Sequence, residues 1–322
     1  MSIKHILSII KSNNLYEFRK KISDIYWALY NRFLEKYIGR IPTPEAWQGQ
    51  WFAYNKIKKK YLRASYDIDS IFPQDSIIPD EKNIWIYWNS DIKNAPDIVK
   101  KCFTQLQKNK PQKYRIVSLS QDNIKDYVNF PEFILDKLNK GLIAQAHFSD
   151  ILRTALVYRY GGIWVDSTCL LTQQIPQKVL NSTFFVFQAN QLNLQETYPP
   201  IKCSNWFISS NIQKCRILER TLQILLTYWQ KNNRILHYYL YHIIMAAVVN
   251  NDTECANIWN KMPYICNMNP HVLQYSFEKK YTKVCWENAV DSCFIHKLTY
   301  KYDNKLMQAT DENILQHLMR SF

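Results

Sequence analysis

The 322-residue chain has only five glycines, and its eight cysteines include no Cys-x-x-Cys pair. The lack of that motif argues against a zinc ribbon and a thioredoxin-type site. No run of eighteen apolar residues occurs, so no segment is predicted to span a membrane. The short apolar run at the start has no small-residue cleavage site after it, which argues against a secretory signal. We therefore expect a cytoplasmic protein with mostly buried, reduced thiols.

The composition is that of a folded globular protein, with 47% hydrophobic and 21% charged residues. The length favours one large domain, or one domain with a smaller companion. Aromatic residues reach 15%, which fits either a thick aromatic core or a surface that binds flat ligands such as sugars and bases.

Positive charge is concentrated near the N-terminus. Residues 1–63 hold thirteen basic and four acidic residues, a formal charge of +9 out of the total of +14. This segment suits an anionic partner such as a membrane or a nucleic acid, and it equally suits a solvated helix face. A basic nucleic-acid-binding protein is one alternative class. It is disfavoured because the chain lacks interleaved arginine and aromatic motifs and confines its charge to one arm.

Two regions follow from the pattern of apolar residues. Residues 1–80 are predicted to form a basic helical region, with helices at 15–37 and 45–64 and a linker beginning near residue 69. In residues 81–322, strongly apolar strands alternate with amphipathic helices, which predicts an α/β domain whose mostly parallel central sheet is flanked by helices. The predicted strands begin near residues 84, 113, 162, 183, 205 and 292. One predicted helix begins near residue 96, with residues 99, 103 and 106 on its apolar face, and the others cover residues 121–128, 131–141, 146–160, 213–230 and 234–250.

One stretch, SDILRTALVYRYGGIWVDST at residues 149–168, combines several chemical features. Asp150 and Arg153 are three residues apart, so they share one face of the predicted helix. The glycine pair at 161–162 can end that helix and turn the chain tightly into a strand. Asp166 then lies at the carboxyl end of the strand, where open α/β sheets bind ligands and where a carboxylate suits a cation carrying a diphosphate. On spacing alone, a surface ion pair and a turn-starting aspartate remain the simpler interpretation.

The same stretch resembles the signature of glycosyltransferases with a GT-A fold and a DxD-type motif. It is most similar to capsular polysaccharide synthesis proteins, and more distantly resembles family 32 sugar transferases and the glucosyltransferase domains of large bacterial toxins. The resemblance runs over residues 84–301 and includes IWIYW, AHFSDILR, YGGIWVD, NWFISS, YYLYH and IHKLTYK. It implies a Rossmann-like GT-A domain at residues 81–322 and a nucleotide-sugar-dependent hexosyltransferase that acts on a capsular or other surface polysaccharide.

The resemblance also implies roles for the residues of this stretch. Asp150 would bind sugar hydroxyls and Arg153 the sugar or the diphosphate, which are the catalytic and donor-binding roles. Asp166 matches the first aspartate of the DxD motif, and Thr168 stands where many relatives have the second one. Threonine is a weaker metal ligand, so the expected Mn²⁺ or Mg²⁺ would depend mainly on Asp166.

Two further segments complete the implied donor site. Trp88 would stack on the nucleotide base, because relatives place an aromatic residue at the end of the first strand. In IHKLTYK, His296 is expected as a metal ligand, and Lys297 or Lys301 as a phosphate contact. A lone histidine is more often structural, so the metal role of His296 is a hypothesis.

The acceptor site is less defined by the sequence. The resemblance suggests Asn205, Trp206 and His242, although His242 fits the protein core equally well. The expected acceptor is a glycan or a lipid-linked saccharide, reached when residues 1–63 bind the anionic inner face of the plasma membrane. Related families mostly retain the anomeric configuration. A catalytically silent relative that serves as an assembly subunit is a further alternative, which Thr168 keeps open.

Overall fold

A five-stranded sheet forms the centre of the structure, a computed structural model that describes residues 45–73, 81–189 and 200–321. Its strands are β1 (Lys82–Tyr87), β2 (Tyr114–Leu119), β3 (Gly162–Val165), β5 (Phe185–Gln188) and β6 (Cys203–Ser210). They lie in the order β2-β1-β3-β6-β5. Only β6 runs against the other four strands, since it pairs antiparallel with both β3 and β5. The predicted α/β class with a mostly parallel central sheet is confirmed.

Helices cover the sheet and pack on one another. Within the described ranges they are α1 (Glu45–Lys60), α2 (Asp97–Asn109), α3 (Glu132–Asn139), α4 (Gln145–Tyr160), α5 (Gln177–Leu180), α6 (Arg216–Lys231), α7 (Leu240–Asn251), α8 (Thr253–Asn260), α9 (Val272–Tyr275), α10 (Lys283–Val290), α11 (Lys305–Gln308) and α12 (Ile314–Arg320). The predicted helices of the domain therefore exist, with two differences. Residues 121–128 contain one 3-10 turn at Ile124–Asp126, and the helix predicted from residue 234 begins at Leu240.

Helix α4 is surrounded by protein on nearly all sides. It contacts β1, β3 and β6 on one side and α6 on the other. Its apolar residues are fully buried, as expected for a helix that is hydrophobic around most of its circumference: Ile151, Leu152, Ala155, Leu156 and Val157. The polar groups of α4 near its N-terminus are thus held by a rigid element rather than by a loop.

Helix α1 packs into the same hydrophobic core as the sheet. Ile57 is fully buried, and the Tyr54 hydroxyl accepts hydrogen bonds from Asn250 and Asn251 of α7 at 3.1 Å each. The first residues of the predicted linker are also packed, because Ile71 and Phe72 are buried in that core. The described part of the predicted N-terminal region is therefore continuous with the domain that follows, whereas residues 1–44, with the predicted helix at 15–37, lie outside the described residues.

A second, two-stranded sheet lies beside the main one. Its strands β4 (Cys169–Leu171) and β7 (Ile295–Lys297) pair antiparallel, with Cys169 opposite Lys297. Strand β7 falls in the predicted run near residue 292, whereas β4 has only three residues and was not predicted. Helix α2 packs on β4, and a separate hydrophobic cluster joins this sheet to the C-terminal helices. The two-stranded sheet thereby places the C-terminal part of the chain next to the end of β3.

None of the helices in the described parts of the chain has the length and apolar character needed to cross a membrane.

Candidate active site

The glycine pair between α4 and β3 sets the geometry of the site. Gly161 follows α4 with φ 66° and ψ −158°, a combination that essentially only glycine adopts, and its carbonyl accepts the Trp85 indole N–H at 3.1 Å. Gly162 has φ 85°, and a Cβ there would overlap the backbone carbonyl oxygen of Asn83 in β1. Strand β3 can therefore lie flush against β1 directly after the helix ends, as the sequence predicted for a tight reversal.

Arg153 is the centre of the site. Its guanidinium is buried and makes three kinds of contact, to Ser149 on its own helix, to the Asn205 carbonyl on β6 and to Asp166. Nη1–H donates to the Asn205 oxygen at 2.6 Å, and Nη2 lies 3.3 Å from Asp166 Oδ1. The guanidinium also lies 5.1 Å from the centre of the Trp164 ring. A planar group with this many directed donors holds one orientation.

Asp166 follows β3 and begins a tight turn. Its backbone N–H donates to Trp206 O at 2.8 Å, and its carbonyl accepts the Cys169 N–H at 2.9 Å. The carboxylate accepts the Trp164 indole N–H at 2.8 Å on Oδ1. Burial alone would raise the pKa of Asp166, but Arg153, then Lys297 and the hydrogen bonds outweigh burial and hold the pKa below its usual value. Asp166 is therefore a stable anion at neutral pH.

Lys297 approaches the same carboxylate from the opposite side. Its Nζ lies 3.3 Å from Asp166 Oδ2 and donates a hydrogen bond to Thr168 Oγ1. The ladder of β4 and β7 positions it, and the Leu298 N–H donates to Thr168 O at 2.9 Å. Burial alone would lower the pKa of Lys297, but the nearby carboxylate outweighs it and raises the pKa. The site thus holds two cations around one carboxylate.

Asp150 occupies the inner end of the site on α4. Its Oδ1 accepts from Asn205 Nδ2 at 2.7 Å and lies 3.6 Å from Arg153 Nη2, while Oδ2 lies 3.3 Å from His147 Nδ1. The predicted sharing of one helix face by Asp150 and Arg153 is thus observed. Direct contacts bring together six of the sequence-predicted residues: Asp150, Arg153, Asp166, Thr168, Asn205 and Lys297.

Two predicted donor-site residues lie near each other at the end of β1. Trp88 is half-buried, and its ring meets Tyr300 edge-on at 5.5 Å between centroids. Lys301 is exposed, with Nζ 5.7 Å from the centre of the same tyrosine ring. Trp85, by contrast, is fully buried in the core.

His296 is not brought to Asp166. It neighbours Lys297 on β7, where successive side chains point to opposite faces. It is fully buried, and its Nε2 lies 3.1 Å from Thr172 Oγ1. Burial lowers the pKa of His296 to about 4, so the ring is neutral at pH 7. This arrangement gives the predicted metal role of His296 no support.

The two remaining acceptor candidates differ in exposure. Trp206 is buried and stacks on Phe187, with ring centroids 4.6 Å apart, so its indole is part of the core at this point. His242 is half-buried, and its ring meets those of Tyr239 and Tyr241 edge-on. The acceptor roles of both residues stay predictions.

The donor set around Asp166 does not fit a divalent cation. The described residues contain no group of three or more His, Cys, Asp or Glu side chains that could hold a metal ion. Asp166 presents both carboxylate oxygens to cationic side chains, and Thr168 Oγ1 accepts from Lys297. Mn²⁺ and Mg²⁺ need several free oxygen ligands. The Mn²⁺ or Mg²⁺ implied by the resemblance stays a prediction.

Three residues of the site were not identified from the sequence. His147 and Ser149 precede Asp150 and Arg153 by three and four residues, so helical spacing alone could have drawn attention to both. Trp164 is two residues before Asp166 and therefore shares its strand face, which is how the indole reaches the carboxylate. The sequence predicted a strand at this position and no role in the site for Trp164.

The half-buried His242 ring, whose Nδ1 is shielded from solvent, makes the protein sensitive to acid. Burial first, then Arg153 and His147, lower the pKa of His242 to about 4 from 6.5, although Asp150 acts in the opposite direction. Below pH 6.5 the unfolded chain therefore binds a proton that the folded chain does not, and stability falls as the pH falls. We expect wild type to lose roughly 3 kcal/mol more than His242→Gln between pH 7 and pH 4, measured by urea unfolding. Parallel pH profiles for the two proteins would contradict this, and the two profiles should be parallel above pH 7.

Residues 44–318 match the family described as capsular polysaccharide synthesis protein. The O-glycosyltransferase braB of Annulohypoxylon truncatum is 26% identical over 106 residues, which cover 30% of this chain and 25% of that protein. The chain thus spans about a quarter of the length of that relative. Among solved structures, the PaToxG glycosyltransferase aligns with 15% identity and a TM-score of 0.34, covering 76% of this chain and 95% of that one.

Proposed function

Because the chain belongs to the capsular polysaccharide synthesis protein family, we propose that it is a nucleotide-sugar-dependent glycosyltransferase of the GT-A type. It transfers a hexose onto a capsular or other surface-polysaccharide acceptor. The name of the curated relative agrees with a transferase.

One observation carries this proposal. Arg153 and Lys297 both pair with Asp166 at the carboxyl end of β3, and Arg153 Nη2 also lies 3.6 Å from Asp150. Two fixed cations at the ligand-binding edge of an α/β sheet suit a diphosphate, because they stabilise the negative charge that develops as it leaves. The buried carboxylate of Asp150 and the half-buried one of Asp166 suit the hydroxyl groups of a sugar.

The roles follow from these contacts. Arg153 and Lys297 bind the diphosphate, with Lys301 near its outer end, and Trp88 stacks on the base. Asp150 accepts hydrogen bonds from sugar hydroxyls, held in position by the amide of Asn205. The acceptor hydroxyl attacks the anomeric carbon, and we propose retention of configuration, as in the resembling families. His242, at the inner end near Asp150, faces the acceptor.

Donor binding and donor hydrolysis test the proposal together. A thermal-shift screen of UDP-, GDP- and CMP-sugars should identify a donor that raises the Tm, since a ligand at about 100 times its Kd stabilises the folded state by roughly 2.7 kcal/mol. NMR of the released sugar should show slow hydrolysis and the anomer formed. Binding without hydrolysis or transfer would favour a catalytically silent assembly subunit, and the absence of any binding would contradict the proposal.

We also propose that the basic N-terminal segment holds the enzyme at the cytoplasmic face of the membrane, where lipid-linked acceptors reside. The appropriate deletion removes residues 1–44, because α1 belongs to the folded core. Full-length protein is expected to sediment with anionic phosphatidylglycerol vesicles, and the deletion variant to stay in the supernatant with an unchanged Tm. Added salt should weaken the full-length binding. Equal sedimentation of the two proteins would exclude this role for the segment.

A further inference from the structure

We propose that Lys297 occupies the position of a catalytic divalent cation, so that this enzyme transfers its sugar without a metal ion. This inference rests on the glycosyltransferase function proposed above. It identifies Lys297 as a positive charge that neutralises the leaving diphosphate. It concerns the side chains of Asp166 and Thr168 in the turn after β3, and that of Lys297 on β7.

The first step concerns the oxygen atoms at this turn. Asp166 Oδ1 accepts the Trp164 indole N–H at 2.8 Å and lies 3.3 Å from Arg153 Nη2. Asp166 Oδ2 lies 3.3 Å from Lys297 Nζ, and Thr168 Oγ1, in the same turn, accepts from the same ammonium. A divalent cation would have to displace Lys297 and would then meet a single carboxylate. Arg153 and Lys297 already neutralise the charge of the Asp166 carboxylate, so a divalent cation would gain little binding energy there.

The second step concerns how firmly Lys297 is held. Lys297 pairs with Cys169 in the β4–β7 ladder, and the N–H of the next residue, Leu298, donates to Thr168 O at 2.9 Å. The backbone of Lys297 is therefore fixed in a short sheet whose first strand, β4, begins three residues after Asp166, so a mobile surface segment does not carry the ammonium. Its side chain keeps 22% exposure, which leaves a route to solvent and ligand. An ammonium has three protons, and the contacts to Asp166 and Thr168 use two of them.

The third step concerns the neighbouring histidine. A metal at this turn would need a further ligand from the protein, and the resemblance suggested His296 for that role. Its ring faces the other side of β7 and is engaged with Thr172. Because successive residues of a strand face opposite sides, Lys297 and His296 cannot both point at Asp166. Strand β7 can therefore direct either His296 or Lys297 at Asp166, and it directs Lys297.

The chemical step balances without a metal ion. The bond between the anomeric carbon and the diphosphate oxygen breaks, and its electron pair stays on that oxygen. The acceptor oxygen forms the new bond to the anomeric carbon, and its proton passes to the departing diphosphate. Lys297 donates its remaining hydrogen bond to the diphosphate and stays protonated throughout, while Arg153 supplies the second positive charge.

The test compares cation dependence with the effect of removing the lysine. With the UDP- or GDP-sugar found in the screen, wild type should turn over at the same rate in excess EDTA as with added Mn²⁺. Lys297→Met should lose about 100-fold or more in kcat in both conditions, because a preorganised charge on the leaving group is lost. Lys297→Arg should recover part of that loss. Lys283→Met is the matched control, since Lys283 is exposed on α10 and pairs only with Glu287 among its described ion pairs.

A second measurement does not depend on turnover. Mn²⁺ titration followed by electron paramagnetic resonance should show no protein-bound Mn²⁺ in wild type, with or without UDP, beyond what UDP itself binds. Bound Mn²⁺ that disappears in Asp166→Ala would overturn the inference, even in a protein without activity. Turnover that EDTA abolishes and Mn²⁺ restores would also overturn it, while leaving the glycosyltransferase function intact. Failure of every donor to bind would instead count against the proposed function.

Discussion

Gly162→Ala is expected to leave little or no folded protein. Gly162 has φ 85°, and an added Cβ would overlap the Asn83 carbonyl oxygen and come within about 3 Å of its carbon and nitrogen. Those are backbone atoms of β1, so the clash cannot be relieved by a side-chain rotation. The strand pair β1–β3 would have to separate at the centre of the sheet. We expect a loss of more than about 4 kcal/mol, which places this variant among the most damaging single substitutions.

Gly141→Ala is the matched control. Gly141 also has a positive φ, 68°, but nothing lies within 4 Å of an added Cβ. Only the cost of the backbone conformation remains, about 1 kcal/mol. Soluble yield, circular dichroism and urea unfolding compare the two variants directly. Equal stability of the two alanine variants would show that the close approach to Asn83 is not required.

Arg153→Lys is expected to lower the rate of donor hydrolysis and of sugar transfer by about 10²- to 10³-fold. The substitution keeps the charge but removes the planar group that reaches Ser149, the Asn205 carbonyl and Asp166 at the same time. A lysine ammonium cannot make directed contacts in three separate directions across that span. The diphosphate would then meet a mobile charge instead of a fixed one.

Arg159→Lys provides the control on the same helix. Arg159 lies six residues further along α4 and is half-buried, with its guanidinium 5.7 Å from the centre of the Phe72 ring rather than at the site. Steady-state kinetics should show wild-type turnover for Arg159→Lys and the large loss for Arg153→Lys, with comparable circular dichroism spectra. If Arg153→Lys turned over like wild type, Arg153 would have no role in stabilising the leaving group.

The sheet was predictable from the sequence because its signals are local. Runs such as residues 84–88 and 162–165 are apolar, short and bounded by turn residues, and each becomes a strand. Strand β4 was missed because three residues carry no periodicity. Its partner β7 lies more than one hundred residues further along the chain, so the pairing has no local sequence signal. The packing of α1 on the core could not be decided from the sequence, since its basic outer residues suit a separate region as well as a helix packed on the domain.

The site was predictable only where helical or strand spacing determines it. The three-residue spacing of Asp150 and Arg153, and the position of Asp166 at the end of a strand, brought these residues together as expected. The choice between His296 and Lys297 could not be made, because a register shift of one residue reverses which side chain faces the site. That choice depends on the β4–β7 pairing, which the sequence did not reveal.

The packing of α1 also has a consequence for the order in which the chain is synthesised. Tyr54 bonds to Asn250, 196 residues further along the chain, and Arg220 donates to the carbonyl oxygens of Leu62 and Ala64. At about 5–20 residues per second, a ribosome needs roughly 10–40 s to make the partners that cover this helix. During that interval the apolar face of α1 has no native neighbour. Helix α1 is therefore open to chaperones and to nascent-chain aggregation until those partners have been made.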